Sequence, residues 1–141
     1  MAHATRLPVD LVRRVERLAA DLPERLPARP IPALLHGDLW TGNVLVDGPR
    51  VAALIDPACY RGHAEVDLAM PTLFGASGAA FWDAYPVAPG WAERRPIYRL
   101  WPAIVHLLLF GEGYRSLVGR SLREAGTSSR TTCRQTPPSG P

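Results

Sequence analysis

The sequence predicts a mainly α-helical domain with one small β-hairpin, an α+β arrangement, from two apolar stripes and one turn. Leu11, Val15, Leu18 and Leu22 recur at helical spacing near the start, and Ile97, Leu100, Trp101, Ile104, Val105 and Leu108 trace a second stripe near the end. Between them lie two β-rich runs, Val44-Leu45-Val46 and Val51-Ala52-Ala53-Leu54-Ile55, separated by Asp47-Gly48-Pro49-Arg50, which is turn chemistry suited to a hairpin. With 141 residues, 47% hydrophobic and 21% charged, the chain has material for one core and one domain.

In chain order, Asp10 is expected to cap the first helix, with Arg13, Arg14 and Arg17 turned mostly to solvent and Pro23 as its stop. Pro23, Pro27, Pro30 and Pro32 then make an extended connector that delivers the chain to Ala33-Leu34-Leu35, read as a short buried strand. After the hairpin, Asp67 to Phe74 reads as helical but contains Pro71, so the helix starts just before that proline or kinks there. Gly78 to Tyr85 fits a short helix. Beyond Ala103 the late helix is apolar nearly all round, as expected of a buried element, and Pro102 is expected to bend it. From Gly126 to Pro141 no periodic apolar residue remains, so the domain is set at 1–125 and residues 126–141 are read as a disordered tail.

Composition excludes several classes of function. The sixteen basic residues exceed the 13 acids only slightly, for a net charge of +3, and they are scattered, which argues against a nucleic-acid partner. All sixteen are arginine, so no lysine is available to grip a phosphate or form a Schiff base. Cys59 and Cys133 stand far apart, with neither zinc-ligand nor disulfide-framework spacing, and a reducing compartment follows. The start lacks an apolar signal region, and the densest apolar stretch, Ala103 to Phe110, falls far short of the roughly 20 residues of a membrane span. The expected setting is cytoplasmic, with no membrane partner.

The chemistry concentrates in His36-Gly37-Asp38-Leu39-Trp40-Thr41-Gly42-Asn43, an H-x-D with an Asn five positions after the Asp, the pattern of a phosphotransferase catalytic loop. A second acid, Asp56, follows the second hairpin strand. If Val46 pairs with Val51, Asn43 falls opposite Leu54 and Asp56 lies two residues farther, about 7 Å of strand rise. Asn43 and Asp56 could then share one metal ion, and their hard oxygens suit Mg²⁺, which completes its shell with water and substrate phosphates. Asp38 is expected to accept or orient the proton of an attacking hydroxyl, and His36 to brace the loop rather than act as a base. Plainer roles are open to each residue: turn and cap positions for Asp38 and Asn43, a helix cap for Asp67, a hydrogen-bonded core histidine for His106. Trp40 is read as packing, with stacking on a sugar as its other role, and His63 and Glu65 as part of a solvated or substrate-side loop.

The stretches Leu34 to Leu45, Ala53 to Ala58 and Gly62 to Met70, extended by Glu93 to Tyr98 and His106 to Gly111, resemble the fructosamine kinase (ketosamine 3-kinase) family. That family belongs to the wider aminoglycoside-phosphotransferase group with a protein-kinase-like fold. The resemblance covers roughly residues 10 to 120 and implies the C-terminal lobe of that fold. It implies an ATP-dependent phosphotransferase acting on a sugar hydroxyl of a small-molecule or protein-linked ketosamine, with ATP as substrate and Mg²⁺ as cofactor. By resemblance Asp38 is the catalytic base, Asn43 and Asp56 are magnesium ligands, and Asp67 braces the catalytic loop from a neighbouring helix. The family's N-terminal lobe, with its phosphate-covering loop, strand lysine and helix glutamate, has no counterpart here. The chain therefore reads as a truncated product, a mis-started frame or an isolated lobe, inactive alone and apt to self-associate through the face that the missing lobe would cover.

Two other readings compete. A lobe without nucleotide-gripping residues could serve as a non-catalytic binding or pseudokinase module. His36-x-Asp38 with distant His106 and Arg115 imitates the two-histidine, one-carboxylate iron site of oxygenases, although those enzymes place it on a many-stranded β-roll and few strands are available here.

Overall fold

The computed structural model describes residues 7–75 and 77–127. In order they form α1 (Val9–Arg25), β1 (Pro32–Leu35), a 3-10 turn (Thr41–Asn43), β2 (Val44–Asp47), β3 (Arg50–Leu54), β4 (Tyr60–His63), α2 (Glu65–Ala69), α3 (Pro71–Phe74), α4 (Ala79–Ala84), α5 (Trp91–Phe110), a second 3-10 turn (Glu112–Tyr114) and α6 (Arg115–Thr127). The chain is mostly helical with two small antiparallel pairs, β1 with β4 and β2 with β3. One core joins α1, α5 and α6. Leu11 and Leu18 pack with Ile97, Leu100, Ala103 and Leu107 and with Val118, Leu122 and Ala125, while Met70 and Leu73 attach the α2–α3 segment to the same cluster.

The first helix departs from expectation at both ends. Pro8 occupies the N-cap, and the Val12 amide closes on its carbonyl at 3.0 Å. Asp10 sits inside the first turn, where its charge faces the positive end of the helix dipole rather than capping it. Pro23 does not stop the helix, which runs on to Arg25. A proline in the last turn forfeits only its own amide bond, and just beyond the helix the Leu26 N–H still reaches the Leu22 carbonyl at 2.9 Å.

The strand at Ala33-Leu34-Leu35 forms but is not buried: Leu35 is inside, whereas Leu34 is 72% exposed. A two-stranded ribbon covered on one face must turn alternate residues outward. Its partner, β4, was not foreseen, because Tyr60-Arg61-Gly62-His63 carries no apolar alternation; Pro32 pairs with His63 and Leu35 with Tyr60. His63 and Glu65 accordingly leave the expected solvated loop. Glu65 is buried and receives two hydrogen bonds from the Arg94 guanidinium, at 2.7 and 2.5 Å, while His63 Nδ1 lies 2.7 Å from the Tyr98 hydroxyl.

The hairpin forms where turn chemistry placed it, with Val46 opposite Val51. A bulge beside that pair leaves Ala52 without a partner, so Leu54 faces Val44 rather than Asn43. Pro71 interrupts its segment into α2 and α3, joined through Met70, and the short helix α4 lies within the span expected of it. The late helix α5 runs unbroken through Pro96 and Pro102, but its outer face is not buried: Trp101 is 71% exposed, and Leu108, Leu109 and Phe110 are exposed with it. Neighbouring elements cover α5 on one side only, so apolar composition all round did not mean burial all round. The helix α6 was not anticipated, although Val118, Leu122 and Ala125 carry its spacing. It takes in Gly126 and Thr127, which had been read as part of the tail; residues 128–141, and Cys133 with them, lie outside the described residues.

Candidate active site

The loop after β1 turns at Gly37, whose φ of +81° suits glycine; a Cβ there would run into the Tyr60 ring and Ala58. Both oxygens of Asp67 grip this turn: Oδ2 accepts from the His36 amide at 2.6 Å and Oδ1 from the Gly37 amide at 2.8 Å. Asp67 thus ties the first turn of α2 to the loop that carries Asp38. The His36 ring is fixed from both sides. Its Nε2 faces the Ile55 carbonyl at 2.9 Å and must be the donor, so its Nδ1 is the acceptor for the Asp38 amide at 3.3 Å. That double commitment pins the Asp38 loop to the end of β3.

Asn43 is 6% exposed, and its Nδ2 donates to the Asp38 carbonyl at 2.9 Å and to Asp38 Oδ2 at 3.0 Å. Both partners are oxygens, so the nitrogen end of the amide must face them and Oδ1 lies on its other side. The Asn43 carbonyl accepts from the Ile55 amide at 3.0 Å. The bulge therefore brings Asp56 within one residue of the position facing Asn43, where two had been expected. Asp56 has a φ of +53°, a left-handed backbone that non-glycine residues seldom adopt and that Asp tolerates better than most.

Asp38 and Asp56 line one cavity of about 500 Å³, together with Trp40, Trp101, His106 and Phe110. Trp40 does pack, edge-on against Phe74 with centroids 6.3 Å apart, yet it also borders this cavity. His106 is hydrogen-bonded as expected, through Nδ1 to the Pro102 carbonyl at 2.8 Å, but it stands in the cavity wall and not in the core. Because a carbonyl can only accept, that bond places a proton on Nδ1, and in the neutral ring Nε2 is then an acceptor. His106 and Trp101 are the cavity residues that sequence reasoning did not place at the site; the available signal was a histidine interrupting the otherwise apolar second half of α5. A smaller cavity of about 390 Å³ behind the loop includes Gly37, Tyr60 and Asp67. Burial, and then the charge of Asp67, push the Tyr60 phenol above its usual 10.

The oxygens of Asn43 and Asp56 are the hard donors that Mg²⁺ takes, and the exposure of Asp56 leaves room for water and phosphate to complete an octahedron. The iron-oxygenase reading does not fit. Both ring nitrogens of His36 are engaged, and among the described residues no three His, Cys, Asp or Glu side chains group as a metal site. Among the described residues no helix is long and apolar enough to cross a membrane.

The fructosamine kinase family model matches residues 6–126. A "Probable ketoamine kinase" of Lactiplantibacillus plantarum is 48% identical over 97 residues, covering 66% of this chain and 35% of its own length. The "Protein-ribulosamine 3-kinase, chloroplastic" of Arabidopsis thaliana is 45% identical over 89 residues, covering 60% of this chain and 27% of its own length. The crystal structure of a candidate fructosamine-3-kinase from Thermobifida fusca superposes with a TM-score of 0.76 at 39% identity, over 86% of this chain and 43% of that one. The chain thus spans well under half the length of each of these relatives. Its helical body and small antiparallel pairs are the C-terminal lobe of a protein-kinase-like fold, and the chain belongs to the fructosamine kinase family.

Proposed function

We propose that residues 1–125 are the C-terminal, catalytic-loop lobe of an ATP-dependent kinase that phosphorylates a sugar hydroxyl of a glycated amine, a small-molecule or protein-linked ketosamine, in the cytoplasm. The observation that carries this reading is the Asp38 carboxylate, held by Asn43 at 3.0 Å and opening into the cavity it shares with Asp56. Asp38 receives or orients the proton of the acceptor hydroxyl. Asn43 keeps that carboxylate in place, and Asp67 and His36 keep the loop beneath it rigid, so that little reorganisation is left for the reaction itself. Trp40, Trp101 and Phe110 offer faces for the apolar side of a sugar, and His106 Nε2 offers an acceptor for a second hydroxyl. Asn43 Oδ1 and Asp56 would hold Mg²⁺, which when bound neutralises charge on the transferred phosphoryl group.

With no lysine anywhere in the sequence, the nucleotide phosphates lack their usual grip on this chain. That observation favours a second reading, a non-catalytic binding module, if the chain works alone. A coupled ATP-turnover assay on a glycated amine separates the two readings. The chain by itself should show little or no turnover, and the same chain joined to the nucleotide-binding half of a relative should gain it. A joined protein that binds ATP and magnesium yet never turns over any ketosamine would sink the kinase reading.

A further inference from the structure

A second cavity, of about 410 Å³, lies between α1 and α6, apart from the one that holds Asp38. Four arginines line it, Arg14, Arg17, Arg25 and Arg123, with Asp21 as the one acidic residue and Leu18, Leu122 and Gly126 completing the wall. Positions 14, 18, 21 and 25 share one face of α1 at i, i+4, i+7 and i+11, so the charges extend over about 16 Å of helix. Arg25 donates to the Ala125 carbonyl at 2.6 Å, at the C-terminal end of α6. Among the described residues, the guanidinium groups of Arg14, Arg17 and Arg123 make no hydrogen bond or ion pair. Residues 1–6 and 128–141 likewise contain no acidic side chain.

Gathering like charges in one cavity works against the folded state, and an anion carrying several charges would relieve it. Arginine's planar fork matches phosphate oxygens two at a time, and the volume falls in the range of small-molecule sites, roughly 300 to 1,000 Å³. We propose that this cavity binds a small, multiply charged phosphate compound of about the size of a triphosphate or a sugar bisphosphate.

Isothermal titration of inorganic triphosphate into the chain tests this, with EDTA present so that no metal draws the probe to Asp38 and Asp56. Saturable binding is expected, weakened about tenfold or more when Arg14→Gln, Arg17→Gln and Arg123→Gln remove three charged donors together. Arg123→Gln alone, at an exposed position where folding is not at stake, should weaken binding measurably with an unchanged circular dichroism spectrum. An Asp38→Asn, Asp56→Asn chain should bind triphosphate as the parent does. No binding by the parent, equal binding by the triple variant, or loss of binding in the Asp38, Asp56 variant would overturn the assignment. Citrate binding as tightly as triphosphate would overturn the phosphate preference.

Discussion

Asp38 and Asp56 line the same cavity, but their surroundings differ, and the function proposed above gives them different work. Asp38 is held by Asn43 on a loop that Asp67 and His36 brace, whereas Asp56 is exposed at the end of β3 on a left-handed backbone. In a protein joined to a nucleotide-binding half, Asp38→Asn should remove most phosphoryl transfer while leaving ATP binding nearly intact, since a group that orients the acceptor does not touch the nucleotide. Asp56→Asn should raise the magnesium requirement and lower turnover together, since on the proposed reading it removes a charged ligand. Steady-state kinetics with magnesium titration distinguish the two, and equal, magnesium-independent losses would contradict these roles. Asp67 is testable without any assay of activity. Asp67→Asn sets an amide N–H₂ against one of two backbone donors and should cost about 1 to 3 kcal/mol, read as a lower thermal midpoint of the chain alone.

At the scale of elements, the lobe is tied together by polar pins at the ends of short segments. Glu65 opens α2, Arg94 sits in the first turns of α5, and their ion pair is largely shielded, with side chains 6% and 14% exposed. The Arg94 guanidinium is pushed above its usual range, first by its hydrogen bond to Glu65. Beside it, burial and then the charge of Glu65 raise the Tyr98 phenol above its usual 10. Arg94→Ala strands the Glu65 carboxylate and should destabilise the chain by about 3 to 5 kcal/mol, whereas replacing both residues with apolar side chains of similar volume should recover most of that loss. Urea unfolding of the two single variants and the double variant measures the coupling. A double variant as unstable as the sum of the singles would mean that the pair acts independently.

For the whole molecule, the dominant surface feature is apolar. Leu34, Val46, Val51 and Leu54 on the two strand pairs, and Trp101, Leu109 and Phe110 on the outer face of α5, are all exposed. Monomers rarely leave so much apolar surface open to water, and relatives of about twice this length have further chain with which to cover it. The chain alone should self-associate. Sedimentation velocity across a concentration series should show species larger than the 15.4 kDa monomer, and Trp101→Arg with Leu109→Arg should shift them back toward it. A strictly monomeric parent at all concentrations would show that this face needs no cover.

The sequence by itself determined what short-range chemistry encodes. Asp47-Gly48-Pro49-Arg50 between two β-rich runs was enough to place the hairpin, whose supposed Val46 to Val51 pairing the fold bears out, and the spacing of His36, Asp38, Asn43 and Asp56 was enough to group them as a candidate site. The helical stripes of α1 and α5 were legible because burial on one face leaves a period in the residues. Contacts between residues far apart in the chain leave no such period, and those were decided only in three dimensions. The β1 to β4 pairing joins residues some thirty positions apart, and Glu65 meets Arg94 29 positions on. The arginine-lined cavity combines α1 with the far end of α6. His106 read as core because the helix around it is apolar nearly all round, and it became cavity wall because, although the Phe74 and Tyr114 rings lie against it, a cavity separates it from Asp38 and Asp56; which face of a helix finds a partner is settled by what else folds against it.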